Sequence, residues 1–112
     1  MNTENIKAQM RKGVLEYCIL SVIKKGDAYV SDLIDELKKG ELIVVEGTLY
    51  PLLTRLKNAE FLTYRWEESV SGPPRKYYAL TPKGESFLVE LSQCWEELIK
   101  SVNIIIKPES HE

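Results

Sequence analysis

The stretch Gly47–Leu62, GTLYPLLTRLKNAEFL, carries the reading on which the rest of the chain turns. Leu49, Leu52, Leu53 and Leu56 fall at i, i+3, i+4 and i+7 and gather on one face of a helix. The opposite face carries Gly47, Pro51, Thr54 and Asn58, flanked by Thr48 and Arg55 on one side and by Tyr50 on the other. No carboxylate falls between Gly47 and Ala59, whereas a helix that only closes a core usually presents charges of both signs on its outer face. Hydroxyls, an Asn amide and an Arg fork are the groups that pair with base edges and phosphates. Pro51 is tolerable if Glu46 or Gly47 opens the helix, because it then falls at the end of the first turn and only the bond to the Gly47 carbonyl region is lost.

Downstream the period changes. Leu62, Tyr64 and Trp66 alternate with Thr63, Arg65 and Glu67 as in a half-buried strand. Val70–Arg75, VSGPPR, reads as a turn, and Lys76–Leu80 alternates again, so a β-hairpin is expected with Arg75 and Lys76 at or near its tip. A basic hairpin tip behind a candidate reading helix is a wing. Upstream, residues 30–39 form a short amphipathic helix with Leu33, Ile34 and Leu37 inward, Ser31 as a candidate cap, Lys38 and Lys39 complementing its dipole, and Gly40 as its stop. Glu41–Val45 links it to the reading helix, with Ile43–Val45 expected as a brief extended segment. That layout is a helix-turn-helix. Residues 5–24 read as one helix with an apolar stripe of Ile6, Met10, Val14, Cys18, Ile19 and Val22, widened by Leu15, Tyr17, Leu20 and Ile23. Gly13 within it costs about 1 kcal/mol against Ala and marks close packing.

Thr81 as N-cap and Pro82 at the first helical position open the last helix. Leu88, Leu91, Trp95, Leu98, Val102 and Ile105 step along it by three and four, a heptad seam broadened by Phe87, Ile99 and Ile106. From residue 82 to 106 such a helix is about 37 Å long, more than a small domain covers with its own core. An exposed apolar stripe of that size calls for a second copy of the chain. The fold class is thus mostly α with a small β-hairpin: a winged helix-turn-helix over 1–81, a dimerisation helix over 82–107 and a polar tail, PESHE, over 108–112.

Composition bounds the function. At 112 residues, with 44% hydrophobic and 29% charged residues, the chain makes one domain. No apolar run reaches the length of a membrane span, and the N-terminus lacks the apolar core of a signal peptide. Cys18 and Cys94 are too few and too far apart for a disulfide framework, so a reduced, cytoplasmic protein is expected. The net charge of −2 argues mildly against nucleic acid, but its distribution softens the objection. Residues 46–81 carry five positive and four negative charges, while 26–45 carry two and five and 82–112 carry three and six. No metal, cofactor or catalytic centre is expected: the one histidine, His111, lies in the tail, and no zinc-spaced Cys/His cluster or phosphate-cradling glycine loop is present.

At GTLYPLLTRL, followed about 25 residues later by GPPRKYYALTPKG, the sequence resembles the PadR family of bacterial transcriptional regulators, and the match extends over nearly the whole chain. The single long helix behind the wing is similar to that of the compact members. The resemblance implies that the helix over 46–60 enters the major groove, that the hairpin touches the neighbouring backbone or minor groove, and that the first and last helices build a homodimer. It further implies a flat aromatic effector at Trp95, although a Trp on a heptad seam also reads as ordinary dimer core. Two positions depart from the pattern. Val45 stands where a capping residue is common, leaving the cap to Glu46 or Thr48, and Val30-Ser31 replaces the usual Gly-Tyr.

The expected function is a homodimeric, sequence-specific regulator of transcription, a repressor, on a palindromic operator in double-stranded DNA. Tyr50, Pro51, Thr54 and Asn58 are the candidates for the major groove, Thr48 and Arg55 for its phosphates, and Arg75 and Lys76 for the adjoining backbone. The acidic balance motivates the alternative, a winged-helix protein-interaction module without DNA binding.

Overall fold

The computed structural model describes residues 2–108, so that of the polar tail only Pro108 lies within it. The order of elements is α1 (Thr3–Lys12), α2 (Leu15–Lys25), α3 (Val30–Lys39), α4 (Glu46–Asn58), β1 (Leu62–Ser69), β2 (Gly72–Leu80) and α5 (Pro82–Ile106). It is the expected mostly α architecture with one antiparallel hairpin.

The single helix expected over 5–24 is two helices. Gly13 does not sit inside a packed helix but closes α1, where the Val14 N–H donates to the Arg11 carbonyl at 3.0 Å, and Val14 opens α2. Ending a helix at the residue least suited to its interior removes the conformational cost of keeping it there. The break also divides the apolar stripe. Leu15, Ile19, Leu20 and Ile23 of α2 are buried, whereas α1 buries nothing, and its Met10 is 77% exposed.

The core is aliphatic. Those four residues meet Val30, Leu33 and Leu37 of α3, Leu49, Leu53 and Leu56 of α4, Val44 of the link and Leu62 of β1, with Tyr78 of β2 closing one end. α3 is capped not by Ser31, which lies inside it, but at Tyr29, whose N–H donates to the Asp32 carboxylate at 3.0 Å. α3 and α4 both leave through a left-handed residue that is not glycine, Glu41 at φ 63° and Glu60 at φ 68°. Each turn is held by backbone bonds: Leu42 N–H to the Leu37 carbonyl at 2.9 Å, and Phe61 N–H to the Leu56 carbonyl at 3.0 Å.

The hairpin differs from expectation at its end. VSGPPR is not the turn: β1 runs to Ser69, β2 begins at Gly72, and the turn is Val70-Ser71. Glu67 pairs with Arg75 and Ser69 with Gly72, so Glu68 alone faces Pro73 and Pro74 in a bulge. Proline, with no N–H to donate, fits such a site in a two-stranded sheet, where every strand is an edge. A bridge on the other side of β2, Ala28 with Tyr78 (2.9 and 3.1 Å), ties the hairpin to the α2–α3 connection.

α5 starts as expected. The Gly84 N–H donates to Thr81 Oγ1 at 2.9 Å, that hydroxyl donates to the Glu60 carbonyl at 2.6 Å, and Pro82 follows the cap. Phe87, Leu88 and Leu91 pack against the core, and Phe87 stacks on Phe61 at 4.0 Å. Ser92 still accepts from the Tyr17 hydroxyl at 3.1 Å, and beyond it the helix leaves the body, which stretches the molecule to 65 Å along its longest axis.

Candidate nucleic-acid interface

α4 is held from behind by Leu49, Leu53 and Leu56, none more than 1% exposed, and this fixes which residues it turns outward. Gly47, Pro51, Thr54 and Asn58 are exposed, and Tyr50 is 48% exposed on the flank facing the hairpin. Neither Glu46 nor Thr48 caps the helix. Val45 occupies the cap position without a side-chain bond, and its carbonyl accepts from the N–H groups of Thr48 (3.0 Å) and Leu49 (3.3 Å). Pro51 is the sixth residue of α4, so the Gly47 carbonyl loses its helical partner on the exposed face, where water or a ligand donor can replace it.

On the hairpin side, Tyr50 borders a cleft of about 580 Å³ together with Glu46, Tyr29, Ser31, Trp66, Arg75 and Lys76. The two basic residues of the wing are not at its tip. They pair with Glu67 and Trp66, several residues back along the hairpin, because the turn is shorter than expected. As strand neighbours they point to opposite faces. Lys76 lies over the rings of Tyr64 (4.4 Å) and Trp66 (5.3 Å), and Arg75 lies over Tyr29 (5.1 Å). Trp66 remains 61% exposed beside them.

A second set of contacts fixes the wing in place. Arg65 pairs with Asp27 of the α2–α3 connection and with Glu67 of its own strand, and lies over Tyr77 at 5.0 Å. Hydrogen bonding to Asp27, then to Glu67, raises the guanidinium pKa above its ordinary value. Tyr77 in turn lies against Tyr29, ring centres 3.8 Å apart, and the Tyr29 phenol pushes the Tyr77 pKa up to about 12. Tyr29 thus stands between the wing's anchor and the Arg75 guanidinium.

The other flank of α4 faces the opposite way. Thr48 borders a groove with Arg11 and Lys12 of α1, and Arg55 is paired with Glu16 of α2. Thr48 and Arg55 therefore lie across α4 from Arg75 and Lys76. Sequence reading missed Tyr29, Ser31 and Trp66, and with them Arg11 and Lys12. Only Trp66 left a signal, as a large ring at the outer end of an alternating strand.

On α5, Leu88 and Leu91 are half-buried against their own domain, whereas Trp95 (37%), Leu98 (54%), Val102 (42%) and Ile105 (80%) are open to solvent. No helix among the described residues is long and apolar enough to cross a membrane.

Residues 19–90 match the model of the PadR-like family of transcriptional regulators. The chain belongs to that family. Among solved structures, a PadR-like transcription factor from Bacteroides fragilis is 64% identical with a TM-score of 0.76, over 90% of this chain and 98% of that one. A PadR-like regulator from Bacillus cereus is 39% identical with a TM-score of 0.79, over 90% and 99%. A transcriptional regulator from Mycobacterium tuberculosis is 31% identical over 94 residues, 84% of this chain and 87% of that protein. Membership makes this PadR-like chain a regulator of transcription, a function exercised through DNA, and the winged helix described above is the fold its solved relatives share.

Proposed function

We propose that this PadR-like regulator is a homodimeric repressor that reads a palindromic operator through α4. The observation that carries the reading is the outer face of α4: exposed, free of carboxylate from Gly47 to Ala59, and bordered by cations on both flanks. Tyr50, Pro51, Thr54 and Asn58 face the major groove. Arg75 and Lys76 hold the backbone beside the wing, and Thr48 and Arg55 meet the backbone on the far side. Residues 1–81 form the DNA-reading unit and 82–107 the dimerising one. The dimer is supported by the open seam of Trp95, Leu98, Val102 and Ile105, which a single chain leaves in water. Two copies related by a twofold axis read half-sites one helical turn apart, about 34–36 Å.

Repression is relieved, on this reading, by a flat aromatic compound held against Trp95 between the two copies. Quenching of tryptophan emission by planar aromatics, lost in Trp95→Ala and kept in Trp66→Phe, tests that part. The operator is tested by selection from randomised duplexes: an enriched palindrome supports the reading. No enrichment from a folded dimer, with no salt-sensitive DNA affinity, leaves the protein-interaction module in its place.

A further inference from the structure

Arg55 of α4 is a cation of the reading helix whose charge is already engaged. It is paired with Glu16 in the first turn of α2, on the flank of α4 away from the wing. The two ends differ. The Arg55 side chain is 66% exposed and the Glu16 side chain only 25%, so the carboxylate is the fixed partner and the guanidinium the movable one. Ion pairs this open to solvent contribute little to folding, so stability alone does not account for a carboxylate set beside α4, which carries none of its own from Gly47 onward.

Each phosphate contact strengthens binding to every sequence alike and makes it more sensitive to salt. A regulator gains selectivity if one of its cations stays neutralised on random DNA and is released only when α4 is fully seated. We infer that Glu16 is a specificity-determining residue: it holds Arg55 away from phosphate in loose, non-specific complexes, and gives it up where a phosphate oxygen takes the carboxylate's place. This rests on the DNA-binding reading above. Glu16 touches no DNA in either state and acts only through Arg55.

The test is fluorescence anisotropy of native protein, Glu16→Gln, Arg55→Met and the double variant on mixed-sequence duplex between 50 and 200 mM salt, with folding checked by circular dichroism. Glu16→Gln is expected to steepen the salt slope by about 0.9, one added phosphate contact. It should tighten non-specific binding at the lowest salt by up to about fivefold, the most that so exposed a pair is worth. The double variant should show the slope of Arg55→Met alone, so that the steepening caused by Glu16→Gln disappears once Arg55 is removed. Glu16→Ala, which alters packing differently, must shift the slope the same way. A folded Glu16→Gln protein with the native slope overturns the inference, as does a steeper slope that survives in the double variant. Native protein with no salt-sensitive binding at all overturns the DNA-binding reading itself, a distinct result.

Discussion

Gly84→Ala should destabilise the protein, against the usual effect of that change in a helix. Alanine in place of glycine inside a helix normally gains about 1 kcal/mol. At Gly84, in the first turn of α5, an added Cβ would lie 2.9 Å from the Phe61 carbonyl carbon and closer still to its oxygen. Those are backbone atoms in the turn between α4 and β1, and they cannot swing aside as a side-chain end would. Relief requires α5 to move off that turn. The same Phe61 carbonyl accepts the Thr81 N–H at 3.2 Å, so the movement loosens the anchor of α5 as well. Overpacking of this kind costs about 1–3 kcal/mol and a lost hydrogen bond about 1 kcal/mol more. After the propensity gain, the net loss is about 2 kcal/mol. For a domain of this size that lowers Tm by roughly 8 °C. Thermal unfolding followed by circular dichroism, at one fixed protomer concentration because dimerisation adds its own stability, measures it. A Tm equal to or above native would refute the close approach of α5 to the α4–β1 turn.

Three further outcomes follow from the same geometry. Arg75→Ala should weaken binding to specific and random duplex alike and flatten the salt slope by about 0.9, and an unchanged slope would remove Arg75 from the phosphate contacts. Leu98→Glu, at a position 54% exposed in the single chain, should convert dimer to monomer in analytical ultracentrifugation while circular dichroism keeps its helical spectrum. A dimer that survives it would move the interface elsewhere. Burial pushes the Cys18 thiol above its ordinary pKa, while Cys94 is exposed on α5. Since the thiolate is the reacting form, a disulfide reagent near pH 8 should consume Cys94 first, and equal rates would contradict the packing of α2.

Where one periodicity governed a stretch, the sequence was legible. The leucines of α4 could only be buried together, α3 ended at Gly40 as its glycine indicated though its cap was misplaced at Ser31, and the start of α5 followed from the local cap at Thr81. The misreadings came where local signals compete. An apolar stripe continuous through Gly13 looked like one helix, yet α1 and α2 separate there because glycine is a better helix end than helix interior. Ser-Gly-Pro-Pro looked like a turn, but a two-stranded hairpin admits both prolines at a bulge, and this moved Arg75 and Lys76 away from the tip. What no pattern could reveal is contact between distant segments. Tyr29, Ser31 and Trp66 meet around Tyr50 only because the Ala28–Tyr78 bridge and Arg65 bring the wing against the start of α3. The Glu16–Arg55 pair likewise joins residues of α2 and α4 that nothing in either stretch connects.

Operator reading by α4 is tested by a salt titration, followed by fluorescence anisotropy, on the duplex directly upstream of this protein's own gene, with scrambled duplex as competitor. Two protomers per duplex, a steep fall in affinity with salt, and selective retention of the upstream fragment over the competitor are expected. Absence of salt-sensitive binding to either duplex at low salt, from folded and dimeric protein, would contradict that reading.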